Sequence, residues 1–180
     1  MINLIIVYGL GAVLLLFIIA CGFSVIFSAL SFAPWVPSRG RDLERIFKLA
    51  DLKPGQTFYD LGCGNGKVVI YAGNNYQVRA VGLEITLPLY LICRLRQMVN
   101  KQANLKFKFK NLYKENLSPA DAIYFFSIPH ALTEKFCAKL KRELRPGAKV
   151  ISYSFKLYNW EPKLVDKPSE KDLPVYLYVI

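Results

Sequence analysis

Thr57-Phe58-Tyr59-Asp60-Leu61 runs directly into Gly62-Cys63-Gly64-Asn65-Gly66, and then into Lys67-Val68-Val69-Ile70-Tyr71. The first five residues read as a buried strand, the middle five as a turn, and the rest as a helix from Lys67 to about Tyr71. Glycines let the backbone approach a ligand closely and permit positive φ. The amides that open the following helix face the same point. Three alternating glycines behind an acid are more than a turn requires. A dinucleotide fingerprint needs a glycine where Lys67 stands, and a phosphate-cradling loop needs Ser or Thr where Val68 stands. Asp60 suits a cationic group better than a pyrophosphate.

On both sides of this turn, strand and helix alternate. A helical stretch, Arg41 to Ala50, puts Leu43, Ile46, Phe47 and Ala50 on one face, and Pro54-Gly55 ends it. Val78 to Ile85 reads as a second strand and Leu87 to Asn100 as a helix with Pro88 in its first turn. Leu105 to Lys110 alternates apolar residues with lysines, the pattern of a half-exposed strand. Ala122 to Ile128 is an apolar strand, and Ala131 to Leu144 a helix stopped by Pro146-Gly147. Lys149 to Phe155 and Val175 to Ile180 are further strands, with a partner around Lys163 to Asp166. Short connections between such units predict an α/β fold with a Rossmann-like, doubly wound, mainly parallel sheet.

The chain has 180 residues, 53% hydrophobic and 14% aromatic, which excludes a disordered tail protein. Its 24 Lys and Arg against 13 Asp and Glu give a net charge of +11. No charged side chain precedes Arg39. From Ile2 to Phe32 the chain is uncharged, longer than the roughly 20 apolar residues that cross a bilayer core. A cleaved signal peptide should open with Lys or Arg, whereas this leader opens Met1-Ile2-Asn3. Ile18-Ile19-Ala20-Cys21 resembles a lipoprotein cleavage box but lacks a basic leader. A transmembrane helix is therefore expected in residues 1–32, a juxtamembrane linker in 33–40 and the soluble domain in 41–180. Arg39, Arg41, Arg45 and Lys48 follow the span, which places that domain on the cytoplasmic side under the positive-inside tendency. Cys21, Cys63, Cys93 and Cys137 form no CxxC pair, and a single histidine, His130, cannot build a histidine metal site. No metal is expected.

In open α/β sheets, ligands bind beyond the carboxyl ends of the strands. Two more strand ends carry suitable groups. Glu84 closes Val81-Gly82-Leu83-Glu84, where a carboxylate can accept both hydroxyls of a ribose. Asn111 follows the third strand; its amide can pair with adenine, although such a residue standing alone more often caps a loop.

Asp60-x-Gly62-x-Gly64-x-Gly66 with Glu84 resembles the class I S-adenosylmethionine-dependent methyltransferases. Pro34-Trp35-Val36-Pro37-Ser38, Tyr59-Asp60-Leu61-Gly62, Asn111-Leu112-Tyr113-Lys114, Glu143-Leu144-Arg145-Pro146-Gly147 and Trp160 narrow the resemblance. They are similar to the small membrane-anchored protein-lysine methyltransferases related to those acting on the ATP synthase c subunit and the ADP/ATP carrier. Asn65 and Asn111 stand where relatives often carry Asp. Phe126-Ser127-Ile128-Pro129-His130 replaces the Asn/Asp-Pro-Pro-aromatic motif of enzymes that methylate bases or glutamine.

The resemblance implies S-adenosylmethionine as cofactor. It implies that Asp60 binds the methionine ammonium, Gly62, Gly64, Asn65 and Gly66 surround the methionine chain, Glu84 holds the ribose and Asn111 the adenine. Phe126, Ser127, Ile128 and Pro129 would receive the acceptor lysine, whose free pKa of about 10.4 must fall before it attacks. His130 is a candidate general base, a helix-start histidine being more often structural. The implied partner is a membrane-protein lysine beside the bilayer, with anionic lipid in contact with the basic surface. Nucleic acid is a weaker expectation because no aromatic RNA-binding signature accompanies the lysines. The alternatives are an RNA methyltransferase, or a tethered binding module without transfer activity. Lys106, Lys108 and Lys110, and Lys139, Lys141, Arg142 and Arg145, also read as solvated faces of a strand and a helix.

Overall fold

The computed structural model describes residues 2–31, 36–100 and 104–180. Phe32, Pro34 and Trp35 of the expected leader and linker lie outside them. Helix α1 covers Ile2–Ser31, and its segment Ile6–Ile26 has a mean hydropathy of 2.6 with none of it buried. Among the described residues it is the one helix long and apolar enough to cross a membrane. At 1.5 Å per residue, that segment extends about 30 Å, the thickness of a hydrocarbon core.

A single 3₁₀ turn, Gly40–Asp42, leads into α2 (Leu43–Ala50). There follow β1 (Thr57–Leu61), α3 (Lys67–Tyr76), β2 (Arg79–Glu84), α4 (Leu87–Val99) and β3 (Leu105–Phe109). The second half contains β4 (Ala122–Phe126), α5 (Glu134–Glu143), β5 (Lys149–Tyr153), β6 (Leu164–Asp166) and β7 (Val175–Val179). They form a seven-stranded sheet in the order β3-β2-β1-β4-β5-β7-β6, parallel from β3 to β5, with β7 antiparallel to both of its neighbours. The fold is the expected one. The chain winds outward from β1 to β3 and returns to β4 on the other side of β1, so the switch point of the winding is the carboxyl end of β1.

Strand alternation divides the apolar side chains into two cores. Phe58 of β1 packs with Phe47 of α2 and Val69 of α3 on one face; Tyr59 and Leu61 pack with Phe136 and Leu140 of α5 on the other. Phe58, Phe47, Phe136 and Leu140 are fully buried, each worth about 1.5–3 kcal/mol relative to exposure. Helix α3 outruns its expected end at Tyr71. Gly73, Asn74 and Asn75 are poor helix formers, but the rings of Tyr71 and Tyr76 both pack on Phe47, at 5.2 and 5.0 Å between centroids. Tertiary packing overrides local propensity here. Helix α5 begins later than expected, at Glu134, because Thr133 Oγ1 accepts from Phe136 N at 3.3 Å and fixes its first turn.

Lys139 is not on a solvated face. It is buried, and its Nζ donates to Glu143 Oε2 at 2.7 Å and to the Glu115 carbonyl at 2.7 Å. Glu115 is also buried and takes Lys108 and Lys110 from β3 and its end. Burial works to raise its pKa, but the two ammonium groups outweigh it and hold the carboxyl below its ordinary range. Part of the basic excess thus closes the sheet edge.

Candidate active site

At the carboxyl end of β1 the chain turns through Gly62, Gly64 and Gly66, with φ of +85°, +56° and +78°. Gly62 N and Cys63 N both donate to the Leu83 carbonyl at 2.9 Å, so the turn folds over the end of β2. A Cβ on Gly66 would stand 2.8 Å from two ring atoms of the buried Phe107 and 3.1 Å from Cys93 Sγ. On Gly62 it would meet nothing within 4 Å. Gly66 is required by packing beneath the loop, whereas Gly62 leaves room above it.

That room belongs to an open cleft lined by Gly62, Gly64, Asn65, Asp60, Glu84, Thr86, Asn111 and Tyr124, among others. Asp60 is 2% exposed, yet no hydrogen bond or ion pair from the described residues reaches its carboxylate. Burial pushes its pKa well above the ordinary carboxylate value, and the nearby Glu84 charge adds to the shift. A buried, unpartnered carboxylate at the wall of a cleft calls for a cation.

Glu84 is committed differently. Gly64 N donates to its Oε2 at 2.8 Å, while Ile85 N and Thr86 N donate to Oε1 at 2.9 and 2.8 Å. Burial raises its pKa and these N–H groups oppose the rise without cancelling it. A carboxylate offers about four lone-pair positions, so one remains on Oε2. Glu84 therefore ties the glycine loop to the end of β2 while still presenting an acceptor to the cleft.

Asn111 caps the 3₁₀ turn Leu112–Lys114 by accepting from Tyr113 N at 2.9 Å, and it lines the cleft as well. Asn65 Oδ1 accepts from Lys67 N at 3.2 Å, and the Asn65 carbonyl from Arg96 Nη1 at 3.1 Å. Of the expected acceptor mouth, Phe126 lines the cleft. Ser127 is turned into the interior with its hydroxyl unpartnered among the described residues; Ile128 is half-buried, and Pro129 and His130 are exposed beyond it.

One wall of the cleft escaped sequence reading. Val36, Pro37 and Ser38, expected as linker, line it, as do Lys67 and Tyr124. Ser38 Oγ lies 2.7 Å from the Tyr124 hydroxyl, and Lys67 Nζ donates to the Ser38 carbonyl at 3.2 Å. Asp42, buried just after, accepts from the Tyr153 hydroxyl at 2.5 Å and from Arg45 Nη1 at 3.0 Å. Tyr124 and Tyr153 sit in apolar strands and read as core. The Pro34-to-Ser38 motif carried a family resemblance but no role. Its position just after the apolar helix was the available signal.

The residues present fit S-adenosylmethionine. Asp60 can receive its ammonium, the open side of Gly62 leaves space for the methionine chain, and the free position on Glu84 Oε2 can take a ribose hydroxyl. The same Asp60 would repel a pyrophosphate.

Comparison with known proteins agrees. A protein-lysine N-methyltransferase of Saccharolobus islandicus strain REY15A is 31% identical over 156 residues, covering 82% of this chain and 93% of that one. The adenine nucleotide translocase lysine N-methyltransferase of Mus musculus is 31% identical over 133 residues, covering 73% of this chain but only 57% of its own length. Among solved structures, an RNA methyltransferase from Salinibacter ruber in complex with S-adenosyl-L-homocysteine superposes with a TM-score of 0.75 at 29% identity, over 81% of this chain and 94% of that one. The ANTKMT methyltransferase domain matches residues 60–164. With that match running from the acid of the glycine turn to β6, the chain belongs to the ANTKMT methyltransferase domain family and is an S-adenosylmethionine-dependent methyltransferase.

Proposed function

We propose that the protein methylates the ε-amine of a lysine on a membrane protein, from a domain tethered by α1 on the cytoplasmic side of the bilayer. The observation that carries this reading is the contact of the apolar helix with the rim of the cleft. Leu87 N, one residue after the cleft-lining Thr86, donates to Ser24 Oγ at 2.6 Å, and Ser24 lies inside the segment Ile6–Ile26. A domain held this way meets targets in its own plane at raised effective concentration. The Saccharolobus islandicus relative named for protein lysine and the mouse relative named for a translocase lysine support the acceptor class.

In this reading Asp60 binds the methionine ammonium, Gly62, Gly64, Asn65 and Gly66 border the methionine chain, Glu84 holds the ribose and Asn111 the adenine. Bound S-adenosylmethionine supplies an electrophilic methyl group on a sulfonium. The remaining task of the protein is to position a neutral amine against it. Val36, Pro37 and Phe126 give the cleft an apolar side, where desolvation favours the uncharged lysine. Ile128 and Pro129 would border the entering chain beyond Phe126, and Ser127, its side chain turned inward, would contribute only backbone. His130 lies exposed past them, outside the lining of the cleft, and is the candidate to accept the departing proton once substrate is bound.

The Salinibacter neighbour supports a second reading, methylation of RNA. Full-length protein incubated with labelled cofactor and membranes from cells lacking the enzyme separates the two. Methyl-lysine recovered from membrane proteins is expected; label confined to RNA or to soluble proteins overturns the proposal.

A further inference from the structure

The outward face of helix α4 is apolar except for Arg94 at its border. Its inward side carries the buried Cys93, while Leu91, Ile92, Leu95, Met98 and Val99 point away from the sheet, with Leu95 66%, Met98 65% and Val99 80% exposed. Phe109 at the end of the edge strand β3 packs in a tilted contact on Tyr90 of α4 at 5.5 Å between centroids and is itself 51% exposed. A surface helix of a soluble domain places charged residues on such a face. A contiguous exposed apolar patch marks an interaction site.

We propose that this face of α4, with Phe109 beside it, is seated in the headgroup layer of an anionic bilayer, as a second membrane contact besides α1. The inference rests on the reading of α1 as a membrane span. Three observations choose lipid as the occupant. The bond from Leu87 N to Ser24 Oγ puts the first turn of α4 against the span, two residues short of its end at Ile26. From Ile85 to Lys114 the sequence contains Arg94, Arg96, Lys101, Lys106, Lys108, Lys110 and Lys114 and no acid, and only Lys108 and Lys110 of these are taken up by Glu115. Arg94, exposed beside the apolar stripe, has no acidic partner among the described residues. An apolar face bordered by arginine is the composition of a helix that lies in a membrane interface, its cationic ends reaching the headgroups. A second copy docked on the same face would set like charges against each other.

The seating has a consequence for substrate choice. Ile85, Thr86 and Leu89, at the start of α4, line the cleft. Fixing α4 in the headgroups fixes the height of the cleft above the bilayer. The enzyme then selects lysines within a side chain's length of the membrane surface and excludes those on distant loops.

The test uses the full chain in phosphatidylcholine vesicles containing phosphatidylglycerol. Val13, Leu95, Met98 and Glu161 are replaced one at a time by p-benzoylphenylalanine, and lipid adducts are counted after irradiation. Retained S-adenosylhomocysteine-induced thermal stabilisation shows that each variant is folded. Adducts at 13, 95 and 98, several-fold above those at 161, are expected. Adducts at 13 but not at 95 or 98 overturn the seating of α4 and leave the span standing. Absence of adducts at 13 overturns the span itself. Crosslinks from 95 or 98 to another copy of the chain, in place of lipid, overturn the proposal in favour of a dimer.

Discussion

The hydroxyl of Ser38 lies 2.7 Å from that of Tyr124, across 86 residues of sequence, and joins the segment that follows the apolar helix to the strand beside β1. Tyr124 is fully buried and stands in register with Asp60. Burial pushes its phenol well above the ordinary tyrosine pKa, and the Asp60 charge pushes it further. The pair therefore closes the cleft with neutral groups beside an acid.

Ser38→Ala should be the more damaging of two single changes. It strands a phenol that is only 1% exposed, at a cost of about 1–3 kcal/mol, whereas Tyr124→Phe strands the Ser38 hydroxyl, which at 9% exposure is nearer to solvent, and should cost about 1 kcal/mol. Both should raise the KM for S-adenosylmethionine several-fold by loosening the wall formed by Val36, Pro37 and Ser38. Steady-state kinetics and thermal melts check the order; equal cofactor KM values in wild type and Ser38→Ala would show that the wall is idle.

The unpartnered carboxylate of Asp60 predicts a conflict between binding and stability. Its pKa in the folded apo protein lies above that of the unfolded chain. Its contribution to stability is therefore present below the ordinary carboxylate pKa and is lost as pH rises through the elevated value. Asp60→Asn removes that loss. Without ligand, the variant should melt higher than wild type at neutral pH, by roughly 3 °C or more per kcal/mol recovered, and the gap should close in acid. It should show no stabilisation by S-adenosylhomocysteine. A variant less stable than wild type at neutral pH would mean that Asp60 has a hidden partner.

The proposed role of the same carboxylate predicts a pH dependence of ligand affinity. Only its ionised form attracts the ligand ammonium, so affinity should increase as pH rises through the elevated Asp60 pKa, by at most about tenfold per pH unit. Calorimetry with S-adenosylhomocysteine from mildly acidic to neutral pH reads the slope. A midpoint in the ordinary carboxylate range would contradict the effect of burial.

Most of this architecture is readable from local pattern. β1 begins and ends at its expected limits, Thr57 and Leu61, and the other strands differ from theirs only at the ends, by one or two residues. Asp60 and the glycines were visible because strand, acid and turn are contiguous. What was hidden depends on distance along the chain. Nothing near Tyr124 distinguishes it from core residues such as Phe125; its role comes from Ser38. Glu84 was found by its position at a strand end, but its bond to Gly64 N arises only when β2 lies beside β1. Lys139 read as solvated because the i,i+4 pair with Glu143 is as common on exposed helix faces; the Glu115 carbonyl that draws it inward meets it only in three dimensions.

Two glycines of one motif should behave differently on gaining a methyl group. At Gly62 the new Cβ meets open space, so Gly62→Ala bears only the strain of φ +85°, about 1–2 kcal/mol. It narrows the cleft, and its effect should appear mainly in cofactor KM. At Gly66 the same strain is joined by contacts of 2.8 Å with the Phe107 ring, which is buried between α4 and the sheet and has no free space to retreat into. Overpacking adds about 1–3 kcal/mol, so Gly66→Ala should lose roughly 2–5 kcal/mol and melt far below Gly62→Ala. Shortening the obstructing side chain tests the cause: Phe107→Leu introduced into Gly66→Ala should recover part of the lost stability, although it destabilises the wild type. If the double variant is the sum of the two losses, the contact with Phe107 is not what makes Gly66 necessary.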